Sequence, residues 1–308
     1  MKSQPRCEAR RDAGYLHASY AASFDGDCRP LELAVAGGWL VRRPIEGAGL
    51  FDATGPYPLF RCRHWPGLED DLRRLEKERS IVSASLVVDP LSLPEGDLLA
   101  RIFNHVAFPF KTHYLIDLER PTRISSNHRR NISKALRSVD VEYCGDPATR
   151  QQEWVDLYSR LVERHRITGA AAFSHHTLAA QLRVPGLHLF RAVRRGETVG
   201  ICLWLREGEC CWYHLAAYSD AGYRAGASFA LFEHAIGLFR ETGARVLNLG
   251  GGAGSVATED GLTRFKQGWA NLTARAWFCG HVVDRSSYNQ LMAETKSASG
   301  LFPPYRFG

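Results

Sequence analysis

Three β-rich runs, Leu187 to Arg194, Thr198 to Leu205 and Glu209 to Ala217, succeed one another with only Arg195-Gly196 and Glu207-Gly208 turns to join them. A helix from about Gly226 to Glu241 follows, carrying Phe229, Phe232, Ile236 and Phe239 on one face and ending at Gly243. The strand Val246 to Leu249 then runs directly into Gly250-Gly251-Gly252. Ahead of the strands stand an amphipathic helix, Glu153 to Arg166 (Trp154, Leu157, Leu161, Val162, His165), and a second helix near Ser174 to Leu182. Behind them come a short helix near Glu259 to Gln267 and a strand from Arg275 to Val283. The order ααβββαβαβ predicts an α/β domain with a mixed sheet.

The first half is also α/β. Leu31 to Val41 alternates around Gly37-Gly38 as a hairpin, and Phe51 to Phe60 is a Gly/Pro-punctuated loop. A charged helix, Leu68 to Glu78, and the strand Ile81 to Val88 come next. Pro94 to Val106 has helical spacing of Leu98, Leu99, Ile102, Phe103 and Val106, and Phe110 to Leu118 is a strand candidate. At ~100–150 residues per domain, 308 residues predict two domains, placed at 1–145 and 146–308, with the last residues packing back on the first.

With 45% hydrophobic and 23% charged residues, disordered, collagen-like and coiled-coil chains are excluded. No run approaches the ~20 apolar residues of a membrane span, and Met1 to Tyr20 has no signal-peptide pattern. The eight cysteines, Cys7, Cys28, Cys62, Cys144, Cys202, Cys210, Cys211 and Cys279, show no CxxC pair and no metal spacing. They are expected as buried free thiols of a cytoplasmic protein, with no bridge between Cys210 and Cys211.

The net charge of +6 becomes informative only where it clusters. Ser125, Ser126 or Asn127 can cap a helix to Val139 whose apolar stripe is Ile132, Ala135, Leu136 and Val139. Arg130, Lys134 and Arg137 stack on its opposite face, and with Arg123 and Arg129 they make five cations without one acid. Such a face is either simply solvated or binds an anion. Tyr223 to Ser228 (YRAGAS) opens a helix with small residues, where Arg224 and Gly226 could meet a phosphate.

GGGAGS (Gly250 to Ser255) fits neither the Walker nor the dinucleotide pattern and reads as a tight turn beneath a ligand or a partner strand. In Arg264-Phe265-Lys266-Gln267-Gly268-Trp269 the expected buried stripe is Leu262, Phe265 and Trp269, and Lys266 projects about 40° from Leu262. Lys266 therefore points to the interior edge, either snorkelling to water or aimed at charge on a substrate. No GxSxG, HExxH or paired nucleophile is present; His214 and His281 read as structural, and Asp117, Glu259 and Asp260 are unselected candidate bases.

Together, HRRNISKALRS (His128 to Ser138), LNLGGGAGS (Leu247 to Ser255), TRFKQGW (Thr263 to Trp269) and a tail with Tyr288 resemble the Fem-like transferases and their double-GNAT acyltransferase relatives. DATGPYPLF is similar to their Pro-Tyr-Gly-rich loop, with Pro58 where a Gly is expected, so the resemblance spans about Phe51 to Leu291. It implies two GNAT-like domains, each a mixed sheet flanked by helices.

The resemblance also implies amide formation from an activated ester, without a covalent enzyme intermediate and without a cofactor. The donor would be aminoacyl-tRNA. The acceptor would be the amine of a small soluble peptide, a peptidoglycan precursor or a peptide antibiotic. By the same resemblance Phe265 meets the acceptor end of the donor and Lys266 holds the oxyanion. Arg129, Arg130, Lys134, Arg224, Gly226 and Arg264 meet phosphates, while Tyr57, Gly251 and Gly252 line an acceptor pocket. No charged heptad run forms the helical arm of the larger Fem proteins, which favours a small soluble acceptor; a monomer is expected. An acyl-CoA or carrier-thioester N-acyltransferase is the alternative donor reading, and a non-catalytic double-GNAT binding module is the other.

Overall fold

The computed structural model describes residues 13–121, 124–252, 261–295 and 301–307. The chain forms two compact units, one of Lys111–Ala274 with the described residues up to Gly14, the other of Tyr15–Phe110 with Arg275–Gly308. This differs from the expected division at 145/146.

The flanking unit begins with α1 (Ala18–Ala21), β1 (Arg29–Leu33), β2 (Gly38–Ile45) and β3 (Leu50–Thr54). It continues through α2 (Gly67–Glu78), β4 (Ser83–Val88), α3 (Leu98–Ile102) and the start of β5 (Val106–Asp117). From the far end of the chain it takes most of β11 (Leu272–Val282) and α10 (Arg285–Glu294). The expected hairpin is present, β1 pairing antiparallel with β2, Leu31 opposite Leu40. β3 occupies the first half of what reads as a loop: Gly55 and the prolines mask a strand whose Ala53 pairs with Ala84 of β4 in parallel. β11 pairs antiparallel with β4, Phe278 opposite Val87, so the strand order here is β1-β2-β3-β4-β11. Leu33, Leu40, Phe60, Leu68, Leu72, Leu75 and Leu86 make its core. α3 is shorter than the spacing suggests, because Phe103 is already extended and β5 starts at Val106.

The middle unit runs from the rest of β5 through α4 (Ser126–Leu136), β6 (Asp140–Cys144), α5 (Gln151–His165) and α6 (His175–Gln181). The strands β7 (Leu187–Arg194), β8 (Glu197–Glu207) and β9 (Cys210–Tyr218) follow as expected. Next come α7 (Asp220–Ala225), α8 (Ala227–Glu241), β10 (Val246–Asn248) and α9 (Gly261–Gln267). The strand order is β5-β10-β9-β8-β7-β6, antiparallel except for β10 beside β9. Residues 126–144 belong to this unit because β6 pairs with β7, Tyr143 opposite Phe190, and α4 buries Ile132 and Ala135 in the same core as α8. Trp204 anchors that core, its ring 5.3–5.4 Å from those of Tyr213, Phe232 and Phe239.

Three elements were illegible in the sequence. β6 is a mostly exposed edge strand without apolar alternation. α7 is a six-residue helix capped by Ser219, separated from α8 by Gly226 at φ 68°. α10 is capped by Asp284 through the backbone N–H groups of Ser286 and Ser287. The cysteine expectation is corrected in two respects: Cys210 is disulfide-bonded, and Cys28 and Cys144 are only half-buried. Cys62, Cys202, Cys211 and Cys279 are buried free thiols. Among the described residues no helix is long and apolar enough to cross a membrane, and no group of three His, Cys, Asp or Glu is placed to hold a metal ion.

Candidate active site

The site is built where β10 ends and α9 passes over it, within the middle unit. Gly250 takes φ 76°, a left-handed conformation that costs a side-chain-bearing residue about 1 kcal/mol or more. Its N–H donates to Asn248 Oδ1 at 2.8 Å and its carbonyl accepts from Tyr114 N–H at 3.1 Å. Gly251 and Gly252 follow without side chains. A Cβ on Gly251 would lie 3.2 Å from the Thr112 carbonyl oxygen, and one on Gly252 would collide with Thr263 Oγ1. The glycine run is therefore a close approach of backbone to β5 and α9.

Lys266 is drawn to this turn. It is only 5% exposed, and its Nζ donates to the Gly251 carbonyl oxygen at 2.6 Å and stands 5.7 Å from the Tyr213 ring centre. The expected orientation of α9 needs correction. Leu262 is 39% exposed, and the buried side is Thr263, Lys266 and Trp269. The Lys266 hydrogen bond to Gly251 and the contact between Thr263 and Gly252 set the rotation of the helix, so Lys266 lies inside the site and not at its edge.

His113 and Asn248 complete the group and were not singled out in the sequence, where each is an ordinary polar residue on a strand. His113 Nδ1 is 3.0 Å from Asn248 Oδ1. Burial, and then the Lys266 charge, push the His113 imidazole down to about 3, so it is neutral at pH 7. Burial also lowers the Lys111 ammonium, whose Cδ would lie 3.5 Å from a Cβ on Gly251. Asp117, a candidate base in the sequence, is occupied: it pairs with Arg120 at 2.7 Å and accepts from the Glu119 N–H. Glu259, Asp260 and Ser255 lie outside the described residues.

Phe265 is half-buried in an aromatic cluster, 5.0 Å from Phe229, 4.8 Å from Phe232 and 6.2 Å from Trp269. His128 of α4 joins it, its Nε2 donating to the Phe265 carbonyl oxygen at 3.1 Å. The same ring leaves no room for a Cβ at Gly268, which explains the glycine before Trp269. α4 starts at its Ser125 cap and buries His128, Ile132 and Ala135, with Val139 beyond its end; Leu136, expected in that stripe, is exposed.

Arg129, Arg130, Lys134 and Arg137 are exposed on the outer face of α4, and among the described residues none has an ion-pair partner; Arg130 meets only Asn127 Oδ1, at 3.0 Å. The helix α2 and the start of α5 behave otherwise, pairing Arg73 with Glu69, Arg74 with Glu78 and Arg150, just ahead of α5, with Glu153. Arg123 lies outside the described residues. Arg264 and Arg224 are exposed on α9 and α7. Gly226 ends α7, and the N–H groups of Gly222, Tyr223 and Gly226 are taken by Ser219 Oγ, the Ser219 carbonyl and the Tyr223 carbonyl. Tyr57 belongs to the flanking unit, half-buried, with its carbonyl accepting from Tyr20 Oη and its phenol raised by burial. Of the expected site residues, the structure thus brings together Lys266, Gly251 and Gly252, with Phe265 next to Lys266 on α9 and packed into the aromatic cluster.

A family model described as an acetyltransferase (GNAT) domain matches residues 123–267. A UDP-N-acetylmuramoylpentapeptide-lysine N(6)-alanyltransferase of Weissella viridescens is 25% identical over 171 residues, 55% of this chain and 50% of that protein. The chain thus spans about half the length of that curated relative. FemX shares the fold with TM-score 0.61 at 11% identity, over 89% of this chain and 92% of its own. The C-terminal domain of a putative lysylphosphatidylglycerol synthetase from Agrobacterium fabrum matches with TM-score 0.61 at 16% identity, over 96% and 95%. L-PGS from Bacillus licheniformis matches at 0.58 and 14%, over 95% and 97%.

Proposed function

The chain belongs to the Fem-like proteins of GNAT fold, and from that premise we propose that it forms an amide, moving an aminoacyl group from aminoacyl-tRNA to the amine of an acceptor. The observation that carries the reading is the buried Lys266 ammonium held over a glycine turn. A tetrahedral adduct of an activated ester develops negative charge on one oxygen, and a fixed cation in a water-poor site stabilises it by roughly 3–4 kcal/mol. An ester is already activated, so positioning and oxyanion stabilisation suffice and no nucleophilic side chain is required.

The unpaired cations of α4 support a polyanionic donor, with Arg129, Arg130 and Lys134 on phosphates and Arg264 and Arg224 beside them. Phe265 would stack behind the aminoacyl end, and the bare backbone of Gly251 and Gly252 would face the acceptor. The acceptor class follows the relative's name: a peptidoglycan-precursor peptide, or a small soluble peptide such as a peptide antibiotic. In this reading the protein is a cytoplasmic monomer.

A coenzyme A thioester is the second donor reading, favoured by the GNAT family match across Arg224 and Gly226. Against it, the Ser219-capped turn already uses the N–H groups of Gly222, Tyr223 and Gly226 that a pyrophosphate would need. The test is to incubate the purified protein with a pool of charged tRNAs and candidate peptides, among them UDP-N-acetylmuramoylpentapeptide, and identify products by mass. An aminoacylated acceptor is expected. Acylation from acetyl-CoA with none from tRNA would reverse the donor assignment.

A further inference from the structure

Beyond the oxyanion stabiliser, an amine acceptor needs somewhere to send a proton, and the middle unit holds one group arranged to take it. Asn248 Oδ1 accepts the Gly250 N–H, which identifies that amide atom as the oxygen. The His113 nitrogen facing it, Nδ1, must therefore be the donor. In the neutral ring the proton then sits on Nδ1 and Nε2 carries the lone pair. Among the described residues Nε2 has no hydrogen-bond partner.

The ring also lies where the chemistry would be. The Lys266 Nζ reaches the Gly251 carbonyl, and the edge of His113, through Cδ2, would be 3.6 Å from a Cβ on the same Gly251. Gly250 and Gly251 put no side chain beside either group: a Cβ on Gly250 would stand 3.3 Å from Lys266 Nζ, as one on Gly251 would stand against the His113 ring.

We propose that His113 Nε2 is the proton acceptor of the transfer, held in the correct tautomer by Asn248; this rests on the amide-forming reading above. The amine nitrogen attacks the ester carbonyl carbon, forming the C–N bond, and the carbonyl electron pair moves to the oxygen beside Lys266. The proton leaving the nitrogen goes to His113 Nε2. As the tetrahedral adduct collapses, the C–O ester bond breaks and the departing ribose oxygen takes that proton back, giving amide and a free hydroxyl. Burial first, and then the Lys266 and Lys111 charges, hold the resting imidazole neutral, and oxyanion formation cancels part of the Lys266 field at the moment the ring must accept a proton.

The test compares the parent protein with His113→Gln, using charged tRNA as donor and either an alkyl amine acceptor or hydroxylamine. Hydroxylamine is unprotonated at neutral pH and needs little base assistance. With the alkyl amine a fall in kcat of ~10²–10⁴ is expected at unchanged tRNA affinity, shrinking to less than ~10-fold with hydroxylamine. Equal losses with both acceptors, or no loss, overturn the assignment. A parent protein that transfers nothing even to hydroxylamine overturns the amide-forming reading itself, and this assignment with it. The 15N resonances of the His113 ring in the parent protein give a check independent of turnover: a proton on Nδ1 and none on Nε2 is expected, and the opposite tautomer overturns the proposal.

Discussion

His128 Nε2 donates to the carbonyl oxygen of Phe265 at 3.1 Å, and the ring so held fills the space that a Cβ on Gly268 would occupy. One histidine thereby ties α4, which carries the unpaired cations, to α9, which carries Lys266. Gly268→Ala should displace that ring and destabilise the protein by about 1–3 kcal/mol, read as a lower denaturant midpoint at constant m-value. An unchanged midpoint would mean that the ring does not sit against residue 268.

Lys266→Met keeps the length and removes the charge. Activity should fall by ~10²–10³ in kcat, the usual loss of an oxyanion stabiliser. Stability should stay within about 1 kcal/mol of the parent, because an apolar side chain relieves the burial of a cation while the Gly251 carbonyl loses a donor. Steady-state kinetics and urea unfolding on the same samples check both halves. A variant that keeps its rate would leave the site without its central role.

The α4 cations should act through phosphates and not through the fold. Replacing Arg129, Arg130 and Lys134 together by Gln should weaken tRNA binding and reduce the steepness of log K against log salt by about 2–3. Unfolding should be unaffected within ~0.5 kcal/mol, since the side chains are exposed and unpaired. A filter-binding titration from low to high salt measures the slope. An unaltered slope would place the tRNA elsewhere.

Stability should decline on acidification well before the carboxylates titrate. Burial lowers His214 to about 3, and burial with the Lys266 charge lowers His113 to about 3. An unfolded histidine titrates near ~6.5. Between these values the unfolded state binds more protons than the folded one, so stability rises with pH there. This contribution is fully present above ~6.5 and is lost as pH falls toward 3, by up to roughly 1–1.5 kcal/mol per pH unit for each histidine. Urea unfolding at pH 7, 6 and 5 should show the decline, and His214→Gln should flatten it. Equal stability at pH 7 and 5 would contradict neutral burial of these rings.

Much of the middle unit was legible because its signals are local. The strands β7, β8 and β9 are long, apolar and separated by glycine turns, and of the three residues able to cap α4 it is Ser125 that does so. What escaped depends on partners distant in the chain. β3 is a strand because of β2 and β4, although its sequence runs into Gly55 and Pro56. Leu262 is exposed and Lys266 buried because contacts from Gly251 and Gly252 set the rotation of α9, which no helical periodicity encodes. His113 gains its significance only when Asn248, 135 positions later, comes within hydrogen-bond distance.

The chain order of the flanking unit has a consequence for biosynthesis. Its strand β4 waits for a partner, β11, that leaves the ribosome some two hundred residues later. In vectorial synthesis the middle unit can finish its sheet first, while one edge of β4 stays unpaired and prone to association with other chains. The backbone edge at Val87 and Val88 then waits for Trp277 and Phe278. Truncation before residue 272 should therefore harm the earliest-made part of the protein more than the part made just before the cut.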